Sequence, residues 1–173
     1  MTLEILHELS RIIHWGPLIA LGIIKCITLT TLYTTSMWLP STFGLIGFVN
    51  HLIYLILIGI TLYNFFCATC IGPGVVPNNW NADWPPERKA KEYKLMQYCI
   101  ECEEYKAPRA HHCRKCKRCI MKMDHHCPWI NNCVGYKNHA NFIYFLMTSV
   151  IGSIHSNILL FNTMYRAYYF VIF

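Results

Sequence analysis

Charged side chains are missing from two long stretches of this sequence. Residues 44–68 (GLIGFVNHLIYLILIGITLYNFFCA) and 142–165 (FIYFLMTSVIGSIHSNILLFNTMY) hold no Asp, Glu, Lys or Arg, and residues 16–39 (GPLIALGIIKCITLTTLYTTSMWL) hold Lys25 alone. Three such runs in 173 residues, with 54% hydrophobic content and a positive mean hydropathy, argue against a water-soluble globule, since too little chain remains to cover them. Each run reaches the roughly 20 residues that a helix needs to cross about 30 Å of hydrocarbon. Three transmembrane helices are therefore expected. Lys25 would cost roughly 2.5–3.5 kcal/mol at mid-bilayer, which snorkelling of its ammonium toward the interface relieves.

Other absences narrow the reading further. The N-terminal segment 1–15 mixes its charges and the run behind it lacks a small-residue cleavage site, so it is no secretory signal; Leu3, Leu6, Leu9 and Ile13 recur at helical spacing, as in a helix lying on a membrane. The loop between the first two runs (PSTF) has no basic residue, whereas residues 72–140 carry 12 of the 15 Lys and Arg. The positive-inside rule then puts 72–140, and the N-terminus, in the cytosol. Residues 80–140 are charged and poor in glycine, with too few apolar residues for a core of their own. Residues 78–94 look like a linker, and no internal repeat is evident beyond CxxC units.

What that segment does contain is cysteine. Seven of the ten cysteines lie between 99 and 133: Cys99 and Cys102 as one CxxC, Cys113, Cys116 and Cys119 as two overlapping ones, then Cys127 and Cys133, with His111, His112, His125 and His126 interleaved. In a reducing cytosol such a pattern binds metal or does chemistry rather than forming disulfides. Cys26, Cys67 and Cys70 fall in or at the ends of the apolar runs and are expected to be buried as small hydrophobes. Eleven candidate ligands exceed the four that tetrahedral zinc takes. Two Cys3His sites use six cysteines and two histidines and leave one cysteine and two histidines over, and covalent catalysis needs a thiol that no metal has claimed.

From 99 to 142 the sequence resembles the DHHC family of protein S-acyltransferases: CxxC, nine residues, HCxxCxxC, four residues, DHHC, five residues, C, four residues, N, three residues, F, without a gap. GPG at 72–74 stands where the family usually has DPG, and the likeness covers nearly the whole chain. The resemblance implies an α-helical multi-pass membrane protein divided as follows: an interfacial segment at 1–15, helices at 16–39 and 44–68, a cytosolic linker at 72–98, a zinc-stapled cysteine-rich domain at 99–141, a third helix at 142–165 and a tail at 166–173. It implies two zinc ions, one on Cys99, Cys102, His112 and Cys119 and the other on Cys113, Cys116, His126 and Cys133. Cys127 is then the nucleophile, His125 its base and Asp124 the group that orients the base.

The activity so implied is transfer of a palmitoyl group from palmitoyl-CoA to cysteines of client proteins through an acyl-Cys127 intermediate. Lys106, Arg109 and His111 would meet the CoA phosphates. A C16 tail buries about 15 carbons at roughly 0.8 kcal/mol each, so the tail is expected to stay among the membrane helices while the thiol waits at the cytosolic interface of an endomembrane, that of the endoplasmic reticulum or Golgi. The lipid bilayer is the other expected partner. Nucleic acid is not, because the spacing is not that of a finger helix and stacking aromatics are sparse between 99 and 127. The family has at least four spans with a TTxE motif after the fourth, and this sequence stops at Phe173. The rival expectations are thus a shortened, catalytically impaired member and a membrane-tethered zinc-binding interaction module.

Overall fold

A computed structural model describes residues 10–38, 44–78, 80 and 96–172. Residues 1–9 of the expected interfacial segment 1–15, the loop 40–43 and most of the 78–94 linker lie outside the described residues. Three helices, α1 (Trp15–Trp38), α2 (Leu45–Cys70) and α3 (His139–Ile172), are long and apolar enough to cross a membrane. Between α2 and α3 come six short strands, β1 (Tyr98–Cys99), β2 (Glu104–Tyr105), β3 (His111–Cys113), β4 (Arg118–Ile120), β5 (His125–Cys127) and β6 (Asn132–Val134), paired as three antiparallel hairpins. The third helix begins three residues before, and ends seven after, the apolar run at 142–165. The tail assigned to 166–172 is its last two turns, since Tyr, Ala, Phe and Val there continue the helix without a breaker.

The chain divides into two compact units, one of the described residues of Met1–Pro17 with Cys67–Phe142, the other Leu18–Phe66 with Ile143–Phe173. The described residues of the second unit are helical except Gly44. Its outward side chains, among them Ile23, Leu52, Ile56, Val150 and Phe161, are exposed as lipid-facing residues must be. Its helices are joined by hydroxyl and imidazole pairs: Thr31 Oγ1 lies 2.6 Å from Ser156 Oγ, Thr35 Oγ1 2.8 Å from His51 Nε2, and Thr61 donates to Thr148 at 3.0 Å. Each of these threonine hydroxyls also lies within hydrogen-bond reach of a carbonyl one turn back, that of Ile27, Thr31 or Leu57, so its polarity is met inside the unit. Cys26 is exposed on this unit rather than buried, because a small apolar thiol facing lipid needs no protein cover. Lys25 is likewise on the outside of α1.

The first unit is built on a period that reading by cysteine spacing overlooked. Cys99, Cys113 and Cys127 follow at steps of fourteen residues, and each opens a hairpin of one register: Tyr98 pairs with Tyr105, His112 with Cys119, His126 with Cys133. The turns match as well, with Glu103, Lys117 and Asn131, again fourteen apart, at φ of 55°, 56° and 45°. The segment after α2 runs along the second hairpin. Gly74, at φ 89°, accepts from Met121 N–H at 2.7 Å, Val75 bridges Ile120, and Val76 N–H donates to Cys119 O at 3.0 Å. A Cβ on Gly72 would meet nothing within 4 Å, so the glycine that replaces an aspartate there relieves no crowding.

Two buried asparagines fasten the third hairpin. Asn132 Nδ2 is shared among the carbonyls of Ala68, Thr69 and Ile71, and Asn138 Nδ2 among those of Ala68, Ile71 and Cys133. They occupy carbonyls that the end of a helix leaves without intrahelical partners. Asn138 directly precedes α3, yet its Oδ1 accepts from Gly135 N–H at 2.9 Å, so its side chain ties down the loop before the helix.

Candidate active site

The second hairpin offers ligands on both faces of a strand. In β3 the adjacent residues His112 and Cys113 point to opposite sides, as successive residues of a strand do. His112 meets Cys99 and Cys102 of the first hairpin together with Cys119, while Cys113 and Cys116 meet His126 and Cys133 of the third. In each group all four ligand atoms lie within 4.8 Å of one another. Around His112 Nδ1 the three sulfurs stand at 3.5, 3.3 and 4.0 Å, and around His126 Nδ1 at 3.6, 3.5 and 3.5 Å. An ion about 2.3 Å from each sulfur and about 2.1 Å from nitrogen in a tetrahedron gives sulfur to nitrogen edges of about 3.6 Å. Both clusters therefore fit one metal ion apiece.

Thiols packed this closely share protons. The neighbouring Cys133 sulfur pulls Cys116 down to about 5, and Cys133 itself is pushed upward by Cys116 and by burial. In the other group burial drives Cys119 up to about 12; burial also presses on Cys99, but hydrogen bonds led by the Cys102 backbone N–H outweigh it and leave that thiol lowered. Each group thus sets a thiol shifted down beside one shifted up, and a divalent cation would displace the protons that remain.

The third hairpin repeats the second up to the point where it stops binding. Its His126 and Cys133 serve the second group, as His112 and Cys119 serve the first. Its Cys127 stands where Cys99 and Cys113 stand, but the position three residues on, Cys102 and Cys116 in the earlier hairpins, is Ile130, which is 0% exposed. Cys127 is in neither group, and it is buried in β5 opposite Asn132.

Alternation along β5 puts Cys127 on the same face as His125 and opposite His126. His125 Nδ1 lies 3.3 Å from Asp124 Oδ2, and its ring meets Phe142 edge to face at 5.3 Å. A carboxylate can only accept, so this contact puts the proton on Nδ1 and leaves Nε2 free to act as a base. The Asp124 backbone N–H donates to Val134 O at 2.9 Å, which anchors the carboxylate's own position. Of the three residues expected at CoA phosphates, Lys106 and His111 line one cavity of about 590 Å³ with Arg114 and Lys117. Arg109 is not in that lining; it occupies a left-handed turn, φ 62°, whose carbonyl accepts from Met123 N–H.

Comparison with known proteins agrees with this geometry. A family described as DHHC palmitoyltransferase matches residues 92–171. Palmitoyltransferase ZDHHC6 of Bos taurus is 46% identical over 169 residues, 96% of this chain and 39% of that protein. The Danio rerio protein of the same name is 45% identical over 98% of this chain and 40% of its own length, and Probable protein S-acyltransferase 16 of Arabidopsis thaliana is 41% identical over 66% of this chain and 42% of its own. The chain spans about two-fifths of the length of these curated relatives.

Proposed function

Because the chain belongs to the DHHC palmitoyltransferase family, we propose that it moves a palmitoyl group from palmitoyl-CoA to cysteines of client proteins through a thioester on Cys127. The observation that carries this reading is the register: Cys127 repeats a ligand position whose partner has become Ile130, beside a histidine oriented by a carboxylate. The two Cys3His groups hold zinc, Cys99, Cys102, His112 and Cys119 for one ion and Cys113, Cys116, His126 and Cys133 for the other. Zinc supplies folding energy to hairpins too small to fold on their own apolar residues, and takes no part in the chemistry.

His125 Nε2 takes the Cys127 thiol proton, and Asp124 stabilises the imidazolium. The thiolate attacks the thioester carbonyl; the new carbon to sulfur bond forms as the bond to CoA sulfur breaks, and the departing CoA thiolate takes the proton from His125. A client thiol then gives its proton to His125 and attacks the acyl carbon, and the Cys127 thiolate leaves and is reprotonated. The phosphates of CoA lie against Lys106 and His111, with Arg109 nearby in sequence rather than in the same cavity wall. Charge asymmetry supports residues 72–140 facing the cytosol, at an endomembrane such as the endoplasmic reticulum or Golgi, where membrane-proximal client cysteines are within reach. Reading the chain as a zinc-binding module alone leaves Cys127 and the Asp124–His125 pair without a role, and no feature calls for nucleic acid.

The test is labelled palmitoyl-CoA given to the chain in a membrane. A hydroxylamine-labile adduct should form on Cys127 and vanish in Cys127→Ser while two zinc ions per chain remain. Loss of an ion in Cys127→Ser would make Cys127 a ligand and overturn the proposal.

A further inference from the structure

The basic residues of the hairpin unit do not form one field. Lys106, His111, Arg114 and Lys117 border the cavity beside the first metal group, whereas Arg11, Lys115 and Arg118 border a separate cavity of about 420 Å³ beside the second. Among the described residues no carboxylate lines this second cavity, and neither Lys115 nor Arg118 has a carboxylate partner. Cys116 and His126 also reach its wall. A divalent ion on three thiolates carries about one negative charge, so Lys115 and Arg118 together outweigh it where they border the cavity.

Its other wall is held rigidly. Arg11 is 9% exposed, and its carbonyl accepts from Asn131 Nδ2 at 3.3 Å. Gly16 lies so close to the Pro128 carbonyl that a Cβ would come within 1.8 Å of the oxygen, and Trp15 meets Trp129 edge to face at 5.9 Å. Both tryptophans are about half exposed, Trp15 as the first residue of a helix long and apolar enough to cross a membrane and Trp129 in the turn of the third hairpin. Tryptophans in that setting sit at headgroup depth. A basic pocket at that depth suits a phosphorylated headgroup, with the arginine fork and the lysine point charge both matching phosphate.

We infer that this second cavity binds the phosphate group of an anionic membrane lipid, at a site separate from that of the acyl-CoA co-substrate. The full zinc-loaded chain is placed in phosphatidylcholine nanodiscs with and without phosphatidic acid, and the lipid retained on release is counted by native mass spectrometry. Phosphatidic acid should be retained. Lys115→Gln and Arg118→Gln should each weaken retention about fivefold, the effect of roughly 1 kcal/mol per basic residue near the surface, and the double variant by their product. Lys106→Gln, on the other cavity, should leave retention of phosphatidic acid unchanged, its effect falling on CoA instead. Zinc content of every variant verifies the fold, and Arg11 is left intact because it is part of the packed wall. Retention unchanged in the double variant, or lost equally in Lys106→Gln, overturns the site. Displacement of the lipid by CoA overturns its separateness, and displacement by inorganic phosphate at matched concentration reassigns it to a soluble anion. Acylation of Cys127 in the same samples reports on the proposed enzyme independently of all four results.

Discussion

The second and third hairpins are two versions of one ten-residue pattern, HHCRKCKRCI at 111–120 and HHCPWINNCV at 125–134. Register, turn conformation and the histidine and cysteine that close the preceding metal group are common to both. They part at Cys116 against Ile130. The second hairpin offers a chelating pair to the group that follows; the third offers Cys127 with an apolar neighbour and no group to join. On the proposed mechanism, a binding position becomes a reactive one when its partner ligand is removed and the scaffold is kept. The rest of the change is consistent with this: Arg114 and Lys115 become Pro128 and Trp129, and Lys117 and Arg118 become Asn131 and Asn132, the latter a clamp on the end of α2.

The comparison breaks most sharply at the equivalent cysteines. Cys113→Ser removes a ligand from a group whose proposed zinc would provide folding free energy on the order of 10 kcal/mol. One ion should be lost, and the 99–134 segment should become sensitive to protease. Cys127→Ser, the same change fourteen residues on, should leave both ions and the protease resistance intact. Equal zinc loss in the two variants would mean that the hairpins are not as different as their second cysteine position suggests.

The equivalent histidine pairs carry the next largest difference. His125 and His111 each precede a ligand, but only His125 has a carboxylate at hydrogen-bond distance among the described residues. His125→Ala should slow acylation of Cys127 by about 10²–10⁴, the usual range for a lost general base, with zinc content unchanged. His111→Ala should affect the palmitoyl-CoA concentration dependence instead, because His111 lines the other cavity. Single-turnover rates across a palmitoyl-CoA series separate the two outcomes.

Much of this architecture is legible in sequence, for physical reasons. An apolar run without charge has few alternatives to a helix in lipid, so α1 and α2 lie within two residues of the runs at 16–39 and 44–68. α3 overshoots its run because helix continues wherever nothing stops it, and aromatic and aliphatic residues up to Ile172 do not. Ligand counting alone leaves eleven candidates for eight places. What resolves them is the fourteen-residue period, which Ile130 at one end and the Tyr98–Tyr105 pair at the other conceal by changing the very residues that mark it. The division of the basic residues between two cavities is not legible, because 114, 115, 117 and 118 are neighbours in sequence and only the hairpin turn sends Arg114 and Lys117 one way, Lys115 and Arg118 the other.

Restoring the missing ligand should reverse part of the difference. Ile130→Cys gives the third hairpin a CxxC, at a packing cost of about 1–3 kcal/mol for a fully buried aliphatic side chain. Two thiolates at that spacing chelate zinc weakly with two positions open. Acylation of Cys127 should therefore become sensitive to added zinc and recover with a mild chelator, whereas the parent chain should ignore zinc at the same concentration. A variant indifferent to zinc would show that something other than Ile130 keeps Cys127 from binding metal.

The smallest effect is expected at the opposite end of the series. Tyr98 and Tyr105 occupy the cross-strand positions that hold His112 and Cys119, then His126 and Cys133, in the later hairpins. Among the described residues no ligand group precedes the first hairpin, Cys67 and Cys70 at the end of α2 belonging to none, and the two rings instead meet edge to face at 5.3 Å. Such a pair is worth about 0.5–1.5 kcal/mol beyond its area, and both rings are about half exposed, which puts the contribution at the low end. Tyr98→Ala should lower the denaturation midpoint of the hairpin unit slightly, leave two zinc ions bound and leave acylation of Cys127 untouched. Loss of the first ion in this variant would mean that the ring pair, rather than the metal, sets the register of the first hairpin, and the series would then be held at that end by packing and only in its middle by zinc.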